Sequence, residues 1–373
     1  MLHVDIPTRS EIAALNGTRS DACVSIYLPT TPLTQESGAS RIELGNLVRQ
    51  AREQLEAAGF DKRRLAALQE QIDALAEDDE FWRLQANSLA LLATPESLRT
   101  FRLANHLTAL VEVSDRFHLK PLLRAVTFPQ SAYVLALSEN AVRLVEVHGE
   151  LPAATVRIDG LPKDAASAVG KSTLNDRSAS GRIQGSEGQN VRFQQYARKV
   201  DAALRPFLAG RETPLILAAT GRLASVFRAV NSYPHLLPDD ISDSPDRISD
   251  ADLAAAARPV LDAAHARDLA ALTALYAARA GEGRATADVS DAARAATFGA
   301  IDTLLVDIDT VVAGTVDEES GAVTFAEAAS AGTYGIVDEI AGRALASGAR
   351  VLGVRRADLP GKGDLAAILR FAV

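Results

Sequence analysis

Between Leu161 and Asn190 the chain keeps no hydrophobic period. The stretch is built from small residues, among them Ala165, Ser167, Gly170, Ser172, Ser178, Gly181 and Gly185. Roughly thirty residues without a period are unusual inside a compact domain, and such segments are usually functional or disordered. The flanks are strongly patterned. Before the segment, 133–137 and 142–147 are two β-rich runs around Ser138-Glu139-Asn140, which reads as a hairpin. After it, Phe193, Ala197, Val200, Leu204 and Phe207 recur at steps of four and three, the apolar face of a helix. A buried strand at 215–219 and a helix at 224–230 follow. The chain therefore leaves a sheet, runs through a long loop and returns by a helix.

The 373 residues exceed what one compact α/β unit uses and suit two or three domains. Upstream, 24–28 reads as a strand, 41–58 as an amphipathic helix, and Leu65, Leu68, Ile72 and Leu75 as a second helix. With short apolar runs at 88–92 and 107–113, this makes an α+β unit of residues 1–128. A middle domain spans 129–265. It closes in an acidic, Pro-punctuated connection (Asp239, Asp240, Asp243, Asp246), and Asp250 is placed to cap the Ala-rich helix that follows. The third unit, 266–373, alternates strands and helices and reads as an α/β sandwich. The fold class is thus mixed α+β in three domains.

Composition narrows the function. A net charge of −9 argues against wholesale wrapping of nucleic acid, DNA included, and leaves room for a local basic surface. Single Cys23 excludes an intramolecular disulfide framework and suits a reducing cytoplasm. No apolar run is long enough to span a bilayer, and Met1-Leu2-His3-Val4-Asp5 lacks a signal-peptide start, so a membrane is not among the expected partners.

Most catalytic signatures are missing. Gly170-Lys171-Ser172-Thr173 has Ala165 where a phosphate loop needs its first glycine. The six histidines show no metal-ligand spacing and are expected to be satisfied structural or surface residues. Asp307, Asp309, Asp317, Glu318 and Glu319 read as solvated loop acids rather than a Mg²⁺ site. The strands 133–137 and 215–219 carry no carboxylates for two-metal nuclease chemistry. No cofactor is expected.

The aperiodic segment ends in Glu187-Gly188-Gln189-Asn190-Val191-Arg192-Phe193. A glycine at 188 permits a positive φ and close backbone approach. A backbone N–H beside Gln189 can orient a water or stabilise an oxyanion, and the Gln amide both donates and accepts but is no strong base. Asn190 is a candidate helix cap. Around this stretch, Lys171, Arg177, Arg182, Arg192 and Lys199 are candidate phosphate contacts, with Arg192, Gln195 and Lys199 on one helix face. A solvated polar face explains the same residues without RNA.

Gly188-Gln189 before Arg192-Phe193 resembles the Gly-Gly-Gln loop of the archaeo-eukaryotic class-one peptide release factors, with Glu187 in place of the first glycine. Further along, Gly299-Ala300-Ile301-Asp302-Thr303-Leu304-Leu305-Val306 and the ending Gly361-Lys362-Gly363 through Ile368-Leu369-Arg370-Phe371 are similar to the C-terminal domain of that family. Phe117-His118-Leu119-Lys120-Pro121-Leu122 and Asn231-Ser232-Tyr233-Pro234-His235-Leu236 look like phrases of its bacterial branch, which groups relatives of the release factors and Pelota. The resemblance covers most of 110–373. It implies an RNase H-like middle domain and a C-terminal domain of the kink-turn-binding ribosomal-protein type. It also implies a cytoplasmic factor at the tRNA-binding A site of the ribosome, in contact with rRNA, in rescue, quality control or hibernation, and leaves a translational GTPase open as a partner. No Asn-Ile-Lys-Ser motif for stop-codon reading is present. Glu187 brings charge and backbone restriction where the family has glycine, against peptidyl-tRNA hydrolysis. The alternatives are a peptidyl-tRNA hydrolase that still uses Gln189, and an RNA-binding or protein-interaction module.

Overall fold

A capping box starts the first helix. The Thr8 hydroxyl accepts the Glu11 N–H at 3.2 Å and the Glu11 carboxylate accepts the Thr8 N–H at 2.8 Å, opening α1 (Arg9–Gly17). The β-rich run Cys23–Pro29 is β1. Then come α2 (Ser37–Ala57), α3 (Lys62–Glu77), α4 (Asp79–Arg83), β2 (Ser88–Thr94), β3 (Ser97–Leu103), β4 (Leu110–Ser114) and α5 (Lys120–Thr127). The four strands form an antiparallel sheet in the order β3-β2-β1-β4. Alternation along β1 sorts its side chains between two cores. Val24, Ile26 and Leu28 pack under Leu44, Leu47, Leu65 and Leu68 of α2 and α3, whereas Tyr27 packs with Phe117, Leu119 and Leu122.

This computed structural model describes residues 4–5, 7–32, 37–127, 131–148, 152–170, 186–328, 330–361 and 363–372. By contacts the chain divides into one unit of Met1–Phe128 with Asp268–Val373 and another of Pro129–Arg267.

In the second unit, β5 (Ser131–Leu137) and β6 (Val142–His148) are the antiparallel hairpin the pattern implies. They are followed by β7 (Ala154–Val156), α6 (Ala165–Ala168), α7 (Ser186–Leu208), β8 (Leu215–Ala218), α8 (Gly221–Val230), β9 (Leu236–Ile241) and α9 (Asp250–Gly281). The sheet order is β7-β6-β5-β8-β9, antiparallel through β5 and parallel from β5 to β9. This is the RNase H-like plan. Helices α6, α7 and α8 bury Phe193, Tyr196, Leu204 and Phe227 against one face, and Leu253, Ala257 and Leu261 of α9 cover the other.

Two expectations here are corrected. The acidic connection, expected to be a solvated link, is exposed at Asp243 and Asp246 but is also held in place by hydrogen bonds. Part of it is the edge strand β9, Asp240 bonds Arg228, Asp246 takes hydrogen bonds from Ser138 and Asn140, and Asp239 bonds Arg267 at 2.5 Å. And Ser249, not Asp250, caps α9. Its hydroxyl accepts the Asp252 N–H at 3.2 Å, while the Asp250 carboxylate accepts from Arg143 at 2.9 Å and Thr155 at 2.5 Å.

The boundary at Arg267 and Asp268 falls within α9. Beyond it lie β10 (Ala285–Thr286), α10 (Val289–Thr297), β11 (Ile301–Asp307), β12 (Ala313–Val316), β13 (Val323–Phe325), β14 (Tyr334–Gly335), α11 (Ile336–Ala346), β15 (Arg350–Val354), a 3-10 turn (Arg356–Asp358) and β16 (Leu365–Leu369). The main sheet runs β10-β16-β11-β15, with β11 and β15 parallel. Ala292, Ala296, Ile336 and Ile340 of α10 and α11 cover one face, and Leu272 of α9 packs with Leu305 and Leu352 on the other, an α/β/α sandwich.

Candidate functional site

Helix α7 positions most of the site residues that the structure describes. Phe193, Tyr196, Ala197 and Val200 are buried, and the Tyr196 hydroxyl donates to the Ser138 carbonyl at 3.0 Å, tying the helix to the hairpin turn. The opposite side is exposed at Gln194, Gln195, Arg198 and Lys199, and Arg192 is half-buried at its edge. Lys171, Arg177 and Arg182 lie outside the described residues. Arg198, which the helical period from Val191 places on the solvent face, adds a cation that the sequence candidates do not include.

Glu187, Gly188 and Gln189 sit in the first turn of α7, where the sequence reading placed a loop. Asn190 lies within the helix and is not its cap. Ser186 followed by Gln189 resembles a helix-start pattern, although Ser186 is here already the first helical residue. Gln189 is exposed.

Asp201 is the one acid between 189 and 208, and it is buried. Its carboxylate accepts the Ser232 N–H at 2.8 Å, the Ser232 hydroxyl at 2.9 Å and the Arg205 guanidinium at 2.8 Å. From Gln189 to Leu208 the charged and polar groups on the solvent face of α7 are cations and amides. The same contacts explain the phrase Asn231 to Leu236. Tyr233 donates to the Thr213 carbonyl at 2.6 Å and its ring meets the exposed His235 edge-on, so the phrase anchors the end of α7. The cleft of about 160 Å³ beside it is lined by groups already bonded to one another, Asp201, Arg205 and Ser232.

The phrase Phe117 to Leu122 is also structural, in the other unit. The Asp338 carboxylate of α11 accepts the N–H groups of Leu119 at 2.8 Å and Lys120 at 2.7 Å, capping α5. In return the fully buried Lys120 ammonium donates to the carbonyls of Asp307, at 2.8 Å, and Thr310. Burial lowers the Lys120 pKa and raises that of Asp338 to about 6. Glu112 nearby is pushed up to about 7, first by burial and then by the Asp338 charge. His118 departs from the satisfied histidine expected. It is buried, both ring nitrogens lack a hydrogen-bond partner among the described residues, and burial holds its pKa well below the ordinary value. Its ring is confined between Tyr27 and the Gly335 backbone, a packing role.

Of the acidic cluster, Asp307 is buried and accepts from Thr310 at 2.6 Å, contrary to the solvated reading, whereas Asp317 accepts from Ser320 in an exposed turn. Among the described residues no group of His, Cys, Asp or Glu is arranged to hold a metal, and no helix is long and apolar enough to cross a membrane.

The middle domain is a mixed sheet covered by a long helix whose first turn holds Gly188 and Gln189. Residues 129–267 match the family described as Bacterial archaeo-eukaryotic release factor family 11. No curated protein matches the chain. Among solved structures it is similar to the archaeal translation termination factor aRF1 (16% identity, 98% of this chain and 99% of that one, TM-score 0.24). It is also similar to archaeal Pelota from a model of ribosome-bound Pelota and ABCE1 (15%, 74% and 72%, TM-score 0.40). A third is Dom34 of S. cerevisiae, a translation termination-like factor interacting with Hbs1 (11%, 74% and 73%, TM-score 0.40).

Proposed function

We propose that this protein is a cytoplasmic, ribosome-associated translation factor that binds at the tRNA-binding A site, in rescue, quality control or hibernation, without cleaving peptidyl-tRNA. The observation that carries the reading is the family match over 129–267 combined with Glu187 in place of a glycine. A carboxylate at that position needs hydration or a cation, and the ribosomal site is lined with phosphate. The reading includes three domains, 1–128, 129–265 and 266–373, the first and third grouped in one contact unit, with the middle one carrying the RNA contacts Lys171, Arg177, Arg182, Arg192 and Lys199. A translational GTPase is the delivery partner that the family resemblance supports.

Cosedimentation with ribosomes in a sucrose gradient tests the address. The chain should travel with ribosomes, and binding should weaken steeply as salt rises. Replacing Lys171, Arg182, Arg192 and Lys199 by Ala should weaken it and flatten that dependence. Absence from every ribosomal fraction at low salt ends the reading. Labelled peptidyl-tRNA on ribosomes tests the chemistry. Little or no peptide should be released, and Glu187→Gly should give at most weak release because no stop-codon reader is present. The exposure of Gln189 favours one rival, a hydrolase. Robust release by the unmodified chain, abolished by Gln189→Ala, would establish it.

A further inference from the structure

The solvent side of α7 has a pattern within its basic character. At about 100° per residue, Gln194, Gln195 and Arg198 cluster away from the buried Phe193 and Val200, with Lys199 at the edge of the cluster. In a chain of net charge −9, this face carries positive charge with no exposed acid between 189 and 208, and so complements an anion. We propose that it docks on the backbone of double-helical RNA, with Arg198 and Lys199 on phosphates and Gln194 and Gln195 on ribose 2′-hydroxyls. The inference rests on the ribosomal reading above and specifies which form of nucleic acid α7 takes.

Three observations select the duplex and the ribose. Single strands are held by stacking bases on exposed rings. Phe193 and Tyr196 are buried, and Phe207 is half-buried against Tyr133 and Arg211, so α7 offers no exposed aromatic ring for stacking. A duplex presents backbone instead. Second, each Gln amide has donors and an acceptor, and the 2′-hydroxyl both donates and accepts, a match that DNA cannot supply. Third, Arg198 and Lys199 follow Gln194 and Gln195 by one turn, about 5–6 Å along the axis. Amides over a groove and cations on the bordering strand can then bind together. The wide, shallow minor groove of A-form RNA displays 2′-hydroxyls to such a face, whereas its narrow major groove is closed to side chains.

The test uses the full chain and three labelled duplexes of one sequence (RNA, 2′-O-methyl RNA and DNA), with binding followed by fluorescence anisotropy over a salt series. RNA should bind tightest. Gln194→Ala with Gln195→Ala should lower RNA affinity about tenfold, the loss of two hydrogen bonds, and leave DNA affinity unchanged. Arg198→Ala with Lys199→Ala should weaken both and make the log–log salt slope shallower by about 2. All four positions are exposed, and matching thermal melts will show that the variants remain folded. Equal binding of RNA and DNA duplexes, or an RNA preference that survives loss of both glutamines, would overturn the inference. If the chain still cosediments with ribosomes in that case, the translation-factor reading survives and α7 meets protein instead. Duplex preference without ribosome binding would sink the reading and leave the inference standing.

Discussion

Lys120 is a charge with no access to water, held by two carbonyl oxygens and facing the buried Asp338. Lys120→Met would leave the carbonyls of Asp307 and Thr310 without this donor and Asp338 without a nearby cation. We expect a stability loss of roughly 2–4 kcal/mol, read as a lower urea midpoint at pH 7. An unchanged midpoint would mean that the ammonium is expendable. Glu112 gives a pH signature. Its carboxyl is raised from 4.5 to about 7 by burial. The unfolded chain therefore loses this proton before the folded one does. The contribution is fully present below pH 4.5 and disappears as pH rises through about 7. Relative to Glu112→Gln, the natural chain should lose stability between pH 5 and pH 8. The same difference at both pH values would contradict that. Neither group was legible beforehand. A lysine and a glutamate read as surface residues, and only their distant neighbours show that the lysine is enclosed and the glutamate half-buried.

At the scale of elements, legibility followed periodicity. The stripe from Phe193 to Leu204 identified α7, because an apolar face repeats along a helix whatever it packs against. Phe193→Ala should cost about 3–5 kcal/mol by emptying space under the helix, visible as a lower melting temperature. A loss below about 1 kcal/mol would place Phe193 outside the core. Where the period was weak, the reading failed. The edge strand β9 contains Pro238, Asp239 and Asp240 and looks like a linker, because an edge tolerates proline and acids on its open side. Ser249 caps α9 from among aspartates that carry the same capping signal in the sequence. The start of α7 was hidden by Gly188, read as a loop residue.

For the whole molecule, the division into two units predicts two calorimetric transitions, each moved by its own variant. Lys120→Met should lower one and Phe193→Ala the other. A single transition shifted by both would deny the division. Local pattern was enough for the hairpin, the stripe of α7 and the strand–helix alternation of the C-terminal part, because these are patterns among residues close along the chain. Tertiary structure alone decided that Asp338 caps a helix 219 residues away from it at Leu119, that residues 1–128 and 268–373 share one unit, and that Asp201 leaves the solvent face of α7. Those outcomes depend on which surfaces meet in space, and a buried charge finds its partner by proximity that no local period records.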